Sequence, residues 1–362
     1  MKEKELINII KNVLNSEYIG DDCAYLKDLG IVVSQDSLVE DVHFSLKAVM
    51  SSGKLKVENG KLNNFQLSTF NFQQDKSFVG CDVSHLYAYA LGWKSAMVNI
   101  SDICASGAEP KYLTIALSIP DYIDENFVED FYKGAKDACG DVKIVGGDIT
   151  GADKLYISVT AIGSTEGRKI SSRKNAKIGY KVIVSGEHGN SAKGLEILSG
   201  KRKLESGKLN NYQLSTFNFP QDNSHTSIPP ALQPSNKFLQ AHLMPVAKID
   251  FSKQISINCK EDYAMMDTSD GLGDALMQIA KVSGVRLKID TTKIPHDASV
   301  DMDTVLFGGE DYELVAVVPK DLNVEGAVEI GEVIEGETGL EIDGKFYTDI
   351  EDKLFNHFER KE

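Results

Sequence analysis

Acidic residues set in glycine- or serine-rich turns, each abutting an apolar run, recur along the whole 362-residue chain. The first group is Gly20-Asp21-Asp22, followed by the run Gly30-Ile31-Val32-Val33 that leads into Ser34-Gln35-Asp36. Further down come Asp102 in Asn99-Ile100-Ser101-Asp102, Asp148 in Gly146-Gly147-Asp148, Asp267 and Asp270 around Thr268-Ser269, and Glu310 and Asp311 after Gly308-Gly309. Carboxylates with a hydroxyl and an amide oxygen are the ligand set of a hard divalent cation such as Mg2+. One such turn reads equally well as a solvated surface turn. Six clusters, each beside a buried run, exceed what a random scatter of 54 acids would produce. If they converge, so many carboxylates cannot all ionise side by side without cations between them. Magnesium uses few carboxylates per ion and bridges to substrate phosphates, so the pattern points towards an enzyme acting on nucleotide phosphates.

Other motifs bear on that chemistry with less weight. Gly146-Gly147-Asp148 and Gly186-Glu187-His188-Gly189-Asn190-Ser191 are candidate phosphate loops, the second opening a helix whose N-terminus would face an anion. Each is as readily a plain turn. No GxxxxGK[ST] is present, which excludes a P-loop, and Gly92-Trp93-Lys94-Ser95 falls inside a helical pattern as core and surface of that helix. No GxSxG elbow supports a serine hydrolase. Arg173 is of a type that clamps phosphate in a bidentate way, or it belongs to a solvated basic loop with Arg168, Lys169 and Lys174. His43 is available to orient a substrate, or is an ordinary satisfied polar group.

The elements that must position these residues interleave strands and helices, an α/β (α+β) pattern. Helical periodicity covers 3–14, 86–103, 127–139, 191–198 and 272–282, the fourth with Asn190 as N-cap. Strands are expected at 31–35, 113–119, 142–145, 155–162, 180–184, 264–266, 285–289 and 312–318, with a helix or turn carrying Phe355, His357 and Phe358 at the end. The length suffices for two domains with cores of their own. A net charge of −15 argues against nucleic acid as a partner. Five single cysteines without CxxC spacing suggest free thiols in a reducing compartment. No apolar run reaches membrane length, so the expected location is cytoplasmic, with no membrane partner.

Two segments interrupt the order. Residues 52–75 (SGKLKVENGKLNNFQLSTFNFQQD) and 199–222 (SGKRKLESGKLNNYQLSTFNFPQD) match at 19 of 24 positions, while their flanks do not match. A duplicated domain would diverge evenly, so these read as one sequence inserted twice, as polar surface loops.

Taken in order, GDDCA, SQDSLVEDVHF, VNISDICASGAEP, GGDIT, DTSDGL and GGEDYEL resemble the thiamine-monophosphate kinases, of the aminoimidazole-ribonucleotide-synthetase-like superfamily. The resemblance covers the chain except its two inserts. It implies a two-domain AIR-synthetase-like fold, with residues 1–165 (insert about 51–80) and 166–362 (insert about 200–235) as the domains. The N-terminal sheet would join its twin in a homodimer, and the nucleotide would lie between domains. The implied reaction is ATP-dependent phosphorylation of thiamine monophosphate to thiamine diphosphate with several Mg2+ ions. The implied metal ligands are Asp22, Ser34, Gln35, Asp36, Asp102, Asp148, Asp267 and Asp270; the ATP contacts are Gly147, Asp148, Arg173 and Ser269; the thiamine phosphate contacts are His43, Glu310 and Phe355. Gln35 stands where the family usually has Thr, and Asp41 where it commonly has Gly. No general base is implied, because a phosphate acceptor is already anionic at neutral pH. The alternatives are another ATP-using enzyme of the superfamily, or a non-catalytic nucleotide- or metal-binding relative. The chain lacks the reactive cysteines that a selenophosphate synthetase or a hydrogenase maturation factor needs.

Overall fold

The computed structural model describes residues 3–46, 83–198 and 236–353. The repeated segments 52–75 and 199–222, and the stretch with Phe355, His357 and Phe358, lie outside the described residues. Among those described, the helices are α1 (Glu3–Leu14), α2 (Val83–Ala105), α3 (Glu125–Cys139), α4 (Asn190–Leu198), α5 (Lys237–Leu243), α6 (Ile249–Asn258), α7 (Leu272–Ser283) and α8 (Met302–Phe307). None of them is long and apolar enough to cross a membrane.

The first sheet runs in the order β1 (Ala24–Leu26), β2 (Ile31–Val39), β5 (Tyr156–Ser164), β3 (Glu109–Ile119), β4 (Lys143–Gly151). Its pairs are antiparallel except β3 with β4, which α3 joins as a parallel crossover. Period two decides its faces: Ile157, Val159 and Ala161 of β5, with Leu113, Ile115 and Leu117 of β3, are buried, and the residues between them look outward. Helices α2 and α3 cover the buried face. They cross so closely that a Cβ on Gly92 would lie 1.9 Å from the Phe131 carbonyl oxygen, and one on Gly134 1.9 Å from that of Tyr89.

The second sheet runs β12 (Lys345–Tyr347), β11 (Gly339–Ile342), β8 (Arg286–Ile289), β10 (Val328–Ile334), β6 (Lys181–Val184), β9 (Leu314–Val318), β7 (Ala264–Asp267). Strands β6, β9 and β7 are buried on both faces. Val182, Val184, Val315, Val317 and Met266 pack with α7, while Ile183, Leu314, Ala316, Val318 and Met265 join the core built around α2 and the first sheet. Helix α2 is therefore enclosed between two sheets, and residues 88–101 are buried without a break, the condition of a helix apolar on every side.

Two expectations change. The strand predicted for 142–145 extends to Gly151, so Gly146-Gly147-Asp148 is not a loop but part of edge strand β4, hydrogen-bonded to β3. Gly147 is needed there because a Cβ would meet the Ile115 carbonyl oxygen at 1.8 Å. The strand predicted to start at Tyr312 starts at Leu314, since Glu310 and Tyr312 hold φ of 67° and 52° and break the extended path. Asp41, at the position where the resemblance has glycine, has φ of 64°, a conformation glycine adopts without strain.

Candidate active site

The end of β7, the last turns of α2 and the turn before β1 meet between the two sheets. Asp267 closes β7, Asp102 lies near the end of α2 and Asp22 lies in the turn, and one ligand oxygen of each lies within 4.8 Å of the others. The sequence explains the arrangement locally. In β2, Ser34 shares the inward face with Val32 and Leu38, and its hydroxyl donates to the Asp102 carboxylate. The Asp36 backbone N–H donates to Asn99 Oδ1 at 3.0 Å, one turn before Asp102. Ser101 Oγ donates to Asp267 Oδ2 at 2.8 Å. Polar residues in so apolar a helix as α2 are tolerated because each finds a partner.

These acids repel one another. Burial first, then the charges of Asp36, Asp267 and Asp22, push the Asp102 carboxyl well above its ordinary range. Burial and Asp22 raise Asp267 from 3.8 to about 7, against the hydrogen bonds from Ser101 and Ser269. Burial also raises Asp22, although Arg173 opposes it: Arg173 Nη2 lies 3.0 Å from Asp22 Oδ1. Arg173 Nη1 donates to Gln278 Oε1 at 2.7 Å, so the guanidinium is held from two sides. Three hard oxygen donors under mutual repulsion fit a divalent cation.

A second group of residues adjoins the first through the 308–313 segment, whose Glu310 N–H donates to Ser269 O at 2.7 Å. Glu310 Oε1 lies 3.2 Å from Lys94 Nζ, and Oε2 lies 3.4 Å from His242 Nδ1. Burial disfavours the Glu310 charge, but Lys94, which attracts and hydrogen-bonds the carboxylate, outweighs it and holds the carboxyl below its ordinary range. His242, lowered to about 3 by burial and by Lys94, stays neutral, with Ser191 Oγ 3.1 Å from its Nδ1. One carboxylate kept ionised beside a cluster that resists ionisation gives the cleft two poles, one suited to a cationic group and one to metal-bound phosphate.

Residues 69–165 match the family described as AIR synthase related protein, N-terminal domain. The thiamine-monophosphate kinase of Aquifex aeolicus (strain VF5) is 32% identical over 98% of this chain and 97% of its own length. The chain belongs to the thiamine-monophosphate kinase family. The family's Bacillus subtilis (strain 168) member is 29% identical over 83% of the chain and 77% of its own length. A solved structure, AaThiL complexed with AMPPCP and TMP, superposes with a TM-score of 0.72 at 30% identity, covering 99% of this chain and 97% of that one.

Within this member of the family, Asp22, Ser34, Asp36, Asp102, Asp267, Ser269 and Arg173 are brought together, and His43 with Glu310. Others are not. The Gln35 side chain bonds Ser158 (3.2 Å) and Thr160 (3.3 Å) of β5 on the outer face, because period two that turns residue 34 inward turns residue 35 outward. Asp148 and Gly147 sit on β4, three strand positions from β2, roughly 14 Å at a spacing near 4.8 Å. The register partner of Asp148, Ala116, lies between the buried Ile115 and Leu117 and so on the outer face. Asp270 is exposed and outside the three-carboxylate cluster; Phe355 lies outside the described residues. Asp21 serves structure, accepting from Ser172 Oγ and Arg173 N–H at 2.8 Å each. The second candidate phosphate loop is already filled by a side-chain carboxyl: Asp311, which burial raises from 3.8 to about 7, accepts from Gly189 N–H (2.6 Å) and Ser191 N–H (2.9 Å), capping α4, while Asn190 donates to Glu187. Lys94 is not on the surface of α2; it is buried against Glu310. Its signal in the sequence was a lone cation inside an unbroken apolar helix. His242 and Gln278 left no such signal.

Proposed function

We propose that this chain transfers the terminal phosphoryl group of ATP to thiamine monophosphate, giving thiamine diphosphate and ADP, and that the cleft between the two sheets is where it does so. The observation that carries this reading is the convergence of Asp22, Asp102 and Asp267 from three distant elements beside Glu310, in a member of this family. A relative solved with AMPPCP and TMP supports a nucleotide and a thiamine phosphate as the two ligands. The acceptor phosphate oxygen attacks the terminal phosphorus, the bond from that phosphorus to the ADP oxygen breaks, and no phosphoenzyme intervenes. The attacking oxygen is already anionic, so the protein supplies no general base.

What the chain's residues must do is hold two anions in line. Asp22, Asp102 and Asp267, with Asp36 and Ser34 beside them, are the residues we assign to Mg2+. Bound divalent cations supply the positive charge that screens the two phosphates and the charge spreading over the transferred group. Arg173, anchored by Asp22 and Gln278, is placed to add charge on the nucleotide side. Glu310 and His43 face the thiamine side, where the anionic carboxylate suits a cationic thiazolium.

Residues 1–165 and 166–362 are proposed as the two domains, each centred on one sheet. A homodimer joined through the first sheet is supported by exposed Tyr112, Val145, Ile149 and Tyr156 on its strands. A cytoplasmic location is supported by Cys23, Cys104, Cys139 and Cys259, all buried and free. The test of function is incubation with ATP, MgCl2 and thiamine monophosphate, followed by chromatographic separation. Thiamine diphosphate and ADP in equal amounts are expected; folded protein that forms no thiamine diphosphate overturns the reading.

A further inference from the structure

Helix α7 holds Arg173 at both ends. The Arg173 carbonyl accepts from Ser283 Oγ at 2.6 Å, in the last turn of the helix, and Arg173 Nη1 donates to Gln278 Oε1 at 2.7 Å. From residue 278 to residue 283 is roughly 7.5 Å along the axis, at 1.5 Å per residue. The side chain therefore runs back along α7, and its tip reaches Asp22, with Nη2 3.0 Å from Oδ1. Arg173 Nε is enclosed and has no hydrogen-bond partner, so among the described residues Asp22 and Gln278 are what orient the guanidinium.

These two anchors are not equivalent. Asp22 belongs to the acid cluster, with an oxygen within 4.8 Å of those of Asp102 and Asp267, and a divalent cation there draws on the same carboxylate. Gln278 is the anchor that a cation does not share. Behind it, one turn earlier on α7, stands Asp274, 2% exposed, whose carboxylate accepts from Gln278 Nε2. A guanidinium only donates and a carboxylate only accepts. Between them the amide has one satisfied orientation, Oε1 on Arg173 and Nε2 on Asp274. Turned over, it would set donor against donor and acceptor against acceptor. The guanidinium is thus fixed through a neutral link. A carboxylate at position 278 would hold Arg173 as well, but would offset the charge that a phosphate needs.

We propose that Gln278 and Asp274 are positioning residues for the nucleotide, which keep Arg173 aimed at the phosphates of ATP while divalent cations occupy Asp22. This rests on the proposed kinase reading, in which Arg173 lies on the nucleotide side, and adds to it two residues from outside the sequence motifs.

Gln278→Met, which keeps the length and removes the amide, and Asp274→Leu test it. Binding of AMPPCP in MgCl2 is measured by calorimetry, beside steady-state kinetics with ATP and thiamine monophosphate. Losing a hydrogen bond to a charged group should weaken AMPPCP binding and raise the KM for ATP by roughly 5- to 50-fold in Q278M, with the KM for thiamine monophosphate changed by less than about threefold. D274L should lose less in the same direction, since Gln278 remains but is free to turn over. The residues act in series, so Q278M/D274L should bind AMPPCP no worse than Q278M, and Q278M should add nothing once Arg173→Met is present. Q278E should bind AMPPCP more weakly than the wild type although it retains a bond to Arg173. Unchanged AMPPCP binding in Q278M or in D274L overturns the proposal. So does a Q278M loss of the same size with and without Arg173, or a Tm loss with equal weakening of ATP and thiamine monophosphate, which marks a purely structural contact. Wild-type protein that binds AMPPCP but forms no thiamine diphosphate sinks the kinase reading instead, and the AMPPCP affinities of the variants still decide this one.

Discussion

Replacing Asp267 with Asn should make the cation-free protein more stable while it disables catalysis. Asp267 is 3% exposed, and burial with the neighbouring Asp22 raises its carboxyl from 3.8 to about 7. Below pH 3.8 the folded and unfolded chains both hold this proton and the site costs nothing. Between pH 3.8 and 7 the folded chain binds it more tightly, so stability falls as pH rises. Above pH 7 the full penalty is present, roughly 4 kcal/mol at 1.36 kcal/mol per pH unit. Asn keeps an oxygen to accept from Ser101 and carries no charge. In EDTA at pH 8, D267N should gain up to roughly 4 kcal/mol, which at about 2.1 cal/mol/K per residue is a Tm rise of about 5 °C. Its Tm should also lose the part of the decline between pH 4 and 7 that Asp267 contributes. Added MgCl2 should reverse the order by stabilising the wild type more than the variant, and turnover of thiamine monophosphate should fall by orders of magnitude. Scanning fluorimetry from pH 4 to 9, with EDTA or MgCl2, reads all of this beside a product assay. A variant less stable than the wild type in EDTA at pH 8, with a parallel pH profile, would refute the electrostatic reasoning; near-normal turnover would refute the metal assignment.

Three further outcomes are expected. Lys94→Met leaves Glu310 buried without its closest cation, so urea denaturation should show a loss of about 3 kcal/mol and the KM for thiamine monophosphate should rise. Arg173→Lys retains the charge but not the fork that spans Asp22 and Gln278; kcat/KM for ATP should drop by roughly 10-fold or more, and a variant matching the wild type would remove Arg173 from the site. Gly147→Ala drives a methyl into the Ile115 carbonyl and should cost about 3 kcal/mol or more, whereas Gly146→Ala meets nothing within 4 Å and should be tolerated in thermal melts. A phosphate loop would instead make both glycines sensitive in KM for ATP.

Much of the chemistry was legible in the chain itself. Oxygen donors at the ends of apolar runs specify a hard cation, and period-two or helical spacing specifies the elements that carry them, because ligand type and backbone periodicity are local properties. Which acids meet is not local. Asp22, Asp102 and Asp267 converge because β7 and the end of α2 pack against the turn before β1, across sequence gaps that no periodicity spans. Asp21 and Asp311 looked the same in the sequence, yet they tie down the 172–173 turn and the N-terminus of α4. Gln35 differs from Ser34 by one position in a strand, which is enough to put it on the opposite face. Gly147 looked like part of a phosphate loop and is in fact a close contact between strands. Lys94 acquired its role only when Glu310, 216 positions away, folded against it. Side-chain type sets what a residue is able to do, but the free energy of a buried charge depends on which charges surround it, and only the packed tertiary structure decides that.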